Sequence, residues 1–250
     1  TVGGTHFRES KIWACNPLDN NSPCRQLNKQ YEKRENRTAA IYRESCTVCQ
    51  LFGSTDIAAH ARIADAYPKN VDELRLEERN GVAIDRVFGS VAVGPFNYQV
   101  LTNGTFETKI TVKNFTTPQL ALLALAIRDF AEQRVGLGFA KSRGMGQVNM
   151  LVKSVTVRYP AAICENGHLR VLGSRREPSP NNRLLGAGAL FDDNEGYGFL
   201  SSDQVKVPVQ AVSDDWGLGA TMNFDTPEVI DELWRSCVAS WRDWVQGQGA

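Results

Sequence analysis

The 250-residue sequence lacks any apolar run of the roughly 18 residues that a membrane-spanning helix needs, and nothing at its start resembles a signal peptide. The expectation from those absences is a soluble, cytoplasmic protein without a membrane partner. Net charge is also missing: 28 basic and 28 acidic residues cancel, which excludes a uniformly basic surface. No initiator Met precedes Thr1, and the opening TVGGTHFRES shows no clear first strand. An expression fragment, a processed product or part of a longer polypeptide would each explain that.

The charge that cancels overall is unevenly placed. Residues 128–176 carry nine basic and three acidic side chains, net +6, whereas residues 177–250 carry four and twelve, net −8. Such asymmetry focuses an anionic ligand on one section. Within the positive section lies GLGFAKSRGMG, Gly136 to Gly146. Four glycines make the backbone permissive and approachable, while Lys141 and Arg143 put two cations into the same turn. A P-loop would need Gly directly before the Lys-Ser pair and a strand before the loop; here Ala140 precedes Lys141-Ser142 and a helical pattern precedes the loop. The dinucleotide fingerprint fails as well, because Lys141 stands three residues beyond Gly138. A basic helix-to-strand loop that follows a sugar-phosphate backbone competes with a purely structural tight turn.

Four of the six cysteines, Cys15, Cys24, Cys46 and Cys49, fall in one polar stretch. The C-x-x-C knuckle offers two thiolates from a single turn, and Cys15 with Cys24 would complete a tetrahedral sulfur shell for a structural Zn2+. A redox dithiol is disfavoured because QLFGS, rather than a strand-to-helix frame, surrounds the pair. Cys164 and Cys237 are isolated and read as structural. His60 and Arg62 interrupt an otherwise apolar bend and are candidate ligand contacts. Residues 71–80 are charged and read as a loop or a brief helix. From Gly81 to Phe96 the glycines and Pro95 limit regular ladder formation, which suggests a protruding ribbon with Arg79, Asp85, Arg86 and Phe88 along it. Alternation through Phe106, Thr108, Ile110 and Val112 predicts a half-buried strand after an Asn103-Gly104 hairpin turn.

Thr116-Thr117-Pro118 opens the clearest helix, with Thr117 as cap, Pro118 at the first position, and Leu120, Leu123, Ala124, Ile127 and Phe130 at helical spacing. Residues 147–159 alternate as a strand, so that strand, helix, glycine loop and strand form half of a split βαβ unit. Beyond Pro160 periodicity fades, apart from a candidate hairpin around ICENGHLRV. A final helix from Thr226-Pro227 carries Ile230, Leu233, Trp234, Cys237, Trp241 and Val245 on one stripe, a core or docking face.

Three stretches together, CTVCQLFGS (46–54) leading into ARIADA (61–66), RNGVAIDRVFGSVA (79–92) and RVGLGFAKSRGMGQV (134–148), resemble the backbone subunits of type III CRISPR effectors, members of the RAMP superfamily. The extended cysteine pattern and the 160–250 region are more similar to a segment of the single-polypeptide type III-E effector. The resemblance implies an α+β fold: a modified ferredoxin-like, RNA-recognition-motif-like core with a zinc-knuckle insertion and a protruding β thumb. On that view 1–159 is the core segment, with the knuckle at 15–49 and the thumb at 79–98, 160–225 is an irregular connection or insertion, and 226–250 is the terminal helix. It implies RNA contacts from Lys141, Ser142, Arg143, Gly144 and Gly138, with Arg86, Arg79, His60 and Arg62 as further candidates. Ile84, Asp85, Arg86, Val87 and Phe88 would form the thumb that wedges between segments of crRNA and target RNA. Adjacent RAMP-type domains would be protein partners. The family's target-cleaving aspartate falls before Thr1, so no catalytic residue is assigned; Asp65 and Asp85 are the formal candidates for the divalent ion, such as Mg2+, that cleavage by a complete effector would use. An RNA endonuclease and a zinc-stabilised interaction domain that binds no RNA are the competing functions.

Overall fold

A computed structural model describes residues 14–174, 176–191 and 196–247; the parts of the expected core segment at 1–13 and of the terminal helix at 248–250 lie outside the described residues. In chain order the elements are α1 (Pro23–Gln30), α2 (Arg37–Glu44), α3 (Thr47–Phe52), β1 (Ala61–Ile63), β2 (Tyr67–Pro68), β3 (Arg75–Ile84), β4 (Val91–Asn103), β5 (Phe106–Glu107), β6 (Ile110–Val112) and α4 (Thr117–Ala131). They continue with β7 (Val155–Tyr159), β8 (Ala162–Glu165), β9 (His168–Val171), β10 (Ser179–Pro180), β11 (Arg183–Leu185), α5 (Ala187–Leu190), β12 (Gln204–Lys206), β13 (Val212–Ser213), β14 (Ala220–Phe224) and α6 (Pro227–Gly247). Helices with short antiparallel strands make this an α+β protein. No helix among the described residues is long and apolar enough to cross a membrane. The chain divides into two units, one holding the described residues up to His60 and from Val112 onward, the other Ala61–Thr111.

In the first unit the main core lies between α4, α6 and the antiparallel sheet β13-β14-β7. Val157 and Tyr159 of β7, Met222 and Phe224 of β14, Leu120 and Ala121 of α4, and Ile230, Leu233 and Cys237 of α6 are all buried in it. Each large aliphatic or aromatic side chain so buried contributes about 1.5–3 kcal/mol. The start of α4 shows how tertiary contacts choose between two adjacent threonines. Thr116, one residue earlier than expected, is the cap: its hydroxyl accepts from Gln119 N at 3.3 Å while Gln119 Oε1 accepts from Thr116 N at 3.1 Å. Thr117 is drawn away because Asp203 Oδ1 accepts both its amide (2.8 Å) and its hydroxyl (2.7 Å), and Pro118 follows in the first turn.

Three expectations change. Residues 147–154 form no regular strand, and only Val155–Tyr159 does. Strand β6 before α4 pairs with β1, whereas β7 belongs to the sheet β13-β14-β7, so the strands flanking the helix and glycine loop do not share a sheet as a split βαβ unit would have them. The segment 160–225, expected as irregular, holds β8 to β14 and α5 and sends Leu184, Leu185, Val207 and Ala211 into the main core. Its strands have two to five residues, too few for alternation to show, and pairing with neighbouring strands, and of β14 with the distant β7, holds them. The β8–β9 hairpin turns through Asn166 and Gly167, both at positive φ, as its sequence suggested.

The second unit is dominated by the antiparallel ribbon β3–β4, nearly all of it exposed. It starts at Arg75, so residues 75–80, expected as loop or helix, are strand; only Val71–Glu73 makes a 3-10 turn. The ladder runs evenly from Leu76–Leu101 to Gly81–Phe96 and shifts register between Gly81 and Ile84, opposite Gly94-Pro95. Proline offers no N–H to the ladder, and a side chain at Gly81 would strike the Phe96 ring at 2.7 Å. Asn103-Gly104 does not join paired strands: Asn103 faces Arg75, and β5 pairs with β2. The expected half-buried strand from Phe106 to Val112 is instead two short pieces, with Phe106 and Thr108 exposed.

Candidate metal centre and RNA-contact surfaces

Cys15, Cys24, Cys46 and Cys49 bring their sulfur atoms within 4.8 Å of one another. Local and tertiary forces share the task. Cys46 caps α3, with its sulfur accepting from Cys49 N at 3.4 Å, and Cys24 sulfur accepts from Cys46 N at 3.3 Å. Pro23 opens α1 and sets Cys24 in its first turn, while Leu27 one turn later packs with Ile41, Tyr42 and Ile57. Cys15 lies 3.5 Å, sulfur to sulfur, from Cys49. Four thiolates around one Zn2+ with bonds of about 2.3 Å stand roughly 3.8 Å apart, so the donor set and its spacing fit a tetrahedral metal such as zinc. Amides aimed at sulfur are the donors a thiolate needs. The thiols of Cys24 and Cys49 bond to Cys46 and hold its pKa well below the ordinary thiol range. Cys24 is pushed up, first by its bond with Cys46, and Cys49 is pushed up, first by its bond with Cys24. A divalent cation bound here would hold all four sulfurs as thiolates. Its structural chemistry would be a cross-link between α1, α3 and the segment at Cys15.

The glycine loop follows α4 as the sequence order requires. Leu137 N donates to Gly146 O at 2.8 Å and closes its neck. Inside, Ala140 takes a left-handed conformation (φ 58°), Lys141–Arg143 form a single 3-10 turn, and Gly144 (φ 77°) ends it. Arg143 N and Gly144 N donate to Ala140 O and Lys141 O at 2.9 and 3.1 Å. The Arg143 guanidinium lies 5.2 Å from the Phe139 ring centroid, a cation–π arrangement that fixes one cation. Arg134, Gly136, Lys141, Gly144 and Met145 line an open hollow of about 400 Å3 beside the turn. Lys141, Ser142, Arg143 and Gly144 are therefore consecutive on one exposed turn, and Gly138 (φ 73°) precedes it. Arg134, absent from the sequence candidates, lines the same hollow but pairs with Glu132 and, at 3.6 Å, with Asp129.

At the ribbon tip, Asp85 Oδ1 accepts from Val87 N (2.7 Å) and Phe88 N (2.8 Å), and Asp85 N donates to Ser90 O at 2.9 Å. Bonds from Phe88 and then Val87 keep the Asp85 carboxyl below the usual carboxylate range. Asp85 thus acts as a turn-former at the tip. Val87 and Phe88 are 83% and 81% exposed, so the tip is a hydrogen-bonded turn with apolar side chains in solvent. Arg79 pairs with Glu77 at 2.9 Å. His60 Nδ1 is 3.0 Å from Asn114 O and its ring sits 5.6 Å from that of Tyr42, which gives this histidine a packing role; Arg62 is exposed in β1.

A comparison with family models matches residues 8–149 to the RAMP superfamily. The match spans more than half of the chain, including the four cysteines, the ribbon and the glycine loop, and the protein belongs to the RAMP superfamily. That membership points to a CRISPR-associated, RNA-binding role. No curated protein matches the sequence.

Proposed function

We propose that this chain is a crRNA-binding backbone module of a type III CRISPR effector, of the kind fused into the single-polypeptide type III-E effector, and that it positions guide and target RNA in the cytoplasm beside adjacent RAMP-type domains. The observation that carries the reading is the glycine loop: Lys141 and Arg143 on one exposed turn, inside the net +6 section, in a RAMP-superfamily chain. Phosphate contacts of this type position RNA without reading its bases, which suits a guide of any sequence. Ser142, Gly144 and Gly138 belong to the same contact. In this reading the core is a modified ferredoxin-like one, supported by α4 and α6 covering one sheet that contains β7 and β14. The four cysteines hold a structural Zn2+ within a knuckle at 15–49. The thumb spans 79–98, with Ile84, Val87 and Phe88 exposed around the Asp85 turn and Arg86 beside them, supported by the hydrogen-bonded tip; Arg79 and Arg62 are ancillary cations and His60 a minor contact. Cleavage by the complete effector would use Mg2+, with the catalytic residue unassigned.

The test is the double variant Lys141→Ala with Arg143→Ala. It is expected to weaken crRNA binding by similar factors for unrelated spacers and to lower the salt slope by about 0.7 per lost contact, roughly 1.4 for both. A folded double variant with unchanged affinity and slope would leave the loop as a structural turn and favour the interaction-domain reading.

A further inference from the structure

The face of the cysteine module opposite the sulfur cluster has no role in the reading above. Helix α1 is two-sided: Cys24 and Leu27 are buried and Tyr31 half-buried at helical spacing, whereas Arg25, Lys29 and, in the turn that follows, Lys33 are exposed on the other side. Arg34 and half-buried Arg37 follow within the next turn and the start of α2. Five cations in the thirteen residues 25–37 stand against two carboxylates, Glu32 and Glu35. None of the five enters an ion pair found among the described residues, in contrast to Arg43, Arg79, Arg128, Arg134, Arg170, Arg235 and Arg242, each of which has a carboxylate within 4 Å.

Two of the five cations are also held in place. Arg25 donates from one guanidinium nitrogen to Asn20 Oδ1 at 2.8 Å and from the other to Pro17 O at 2.9 Å. The Arg34 guanidinium stacks 5.4 Å from the Tyr31 ring centroid. A planar cation stacked on an aromatic loses less side-chain freedom when it takes a phosphate oxygen pair, and Tyr31 is fixed in turn against Leu27, Ile41 and Tyr42. Four exposed cations without an ion pair among the described residues, two of them prearranged, define an anion surface. Five cations over residues 25–37 are more than a single small anion needs and suit a ligand with successive phosphates.

We propose that this face is a second RNA contact, separate in sequence from the glycine loop, in which Arg25, Lys29, Lys33 and Arg34 follow the phosphodiester backbone of single-stranded RNA. The proposal rests on the RNA-binding reading and adds the surface through which the cysteine module takes part in it. The module then has two coupled properties: the sulfur cluster fixes α1 from behind, and α1 presents the cations in front.

The experiment uses the full chain and two fluorescein-labelled single-stranded RNAs of unrelated sequence, with affinity measured by anisotropy across a salt series. Lys29→Ala with Lys33→Ala should weaken both RNAs by similar factors and lower the salt slope by roughly 1.4. Arg158→Ala with Lys206→Ala, which removes the same charge from exposed strand positions elsewhere, should leave the slope unchanged. Thiol titration and circular dichroism verify that the variants keep the folded cysteine module; should the alanine pair unfold it, Lys29→Gln with Lys33→Gln is read instead. An unchanged slope in the α1 variant, or an equal fall in the control, overturns the proposal. So does intact RNA binding with lost binding to polyglutamate, which would mark an acidic-protein surface. If the Lys141 and Arg143 variant lowers the slope while the α1 variant does not, this inference alone falls. If neither does, the RNA-binding reading falls with it.

Discussion

Leu137 and Gly146 lock the neck of the glycine loop against each other. The Leu137 amide donates to Gly146 O at 2.8 Å, and a Cβ on Gly146 would lie 1.9 Å from Leu137 O. Gly146 also sits at φ 80°. Gly144, at φ 77°, has open space where a Cβ would go. The two positions thus separate backbone strain from collision.

Gly144→Ala is expected to cost about 1 kcal/mol, the left-handed strain alone. Gly146→Ala should cost about 2–4 kcal/mol, because the neck must open to admit the methyl group. Urea denaturation of the two variants checks the order, and RNA anisotropy should show the larger affinity loss for Gly146→Ala. Equal effects would mean that the neck contact does not shape the loop.

Asp203 is buried, 2% exposed, and binds three donors: the Thr117 amide, the Thr117 hydroxyl and, at 3.0 Å, the Gly188 amide. A Cβ at Gly186 would lie 2.1 Å from its Oδ2, so glycine is what lets the backbone come so close. Asp203→Ala orphans two buried amides and should destabilise by about 2–4 kcal/mol. Burial raises the Asp203 pKa despite the bonds from Thr117 and Gly188, which oppose the rise. The folded chain therefore holds this proton more tightly than the unfolded chain. The stability it contributes is full below the unfolded carboxylate range and is lost as pH rises through the raised folded value. Asp203→Asn has no proton to lose, so its deficit against wild type should be largest at acid pH and shrink on going from about pH 4 to pH 7. Urea midpoints across that range test the sign.

The cysteine cluster should bind one zinc per chain by metal analysis, and Cys49→Ser should reduce that content. Binding at small zinc modules supplies on the order of 10 kcal/mol, more than the few apolar side chains beside this cluster. Chelation should therefore abolish amide-exchange protection in α1 to α3. The separate core of α4, α6, β7 and β14 should stay protected. Loss of protection in both together would show one cooperative unit instead.

What the sequence showed was what depends on short chain distances. Cys46 and Cys49 are set by one turn of α3, the loop by glycines spaced two apart, and α6 by apolar residues at helical spacing. The ribbon was visible through its glycines and Pro95, but its start at Arg75 was hidden: Arg75, Glu77, Glu78 and Arg79 look like a solvated loop, and only pairing with β4 makes them strand. The cations of residues 25–37 were overlooked as sites because Glu32 and Glu35 dilute them in the sequence, whereas no carboxylate among the described residues pairs with them.

The sequence by itself determined the elements whose cause is local: sulfur spacing, backbone freedom at glycine, and the amphipathic stripe of α6. Tertiary structure decided everything that rests on distant partners. It chose Thr116 over Thr117 as the cap of α4, because Asp203, 86 residues away, claims Thr117. It drew strands of two to five residues between 160 and 225 into the core, since so short a strand gains stability only from its neighbours. It also brought Cys15 to Cys49 across 34 residues, a closure whose entropy cost local sequence cannot offset and side-chain packing or a shared metal can.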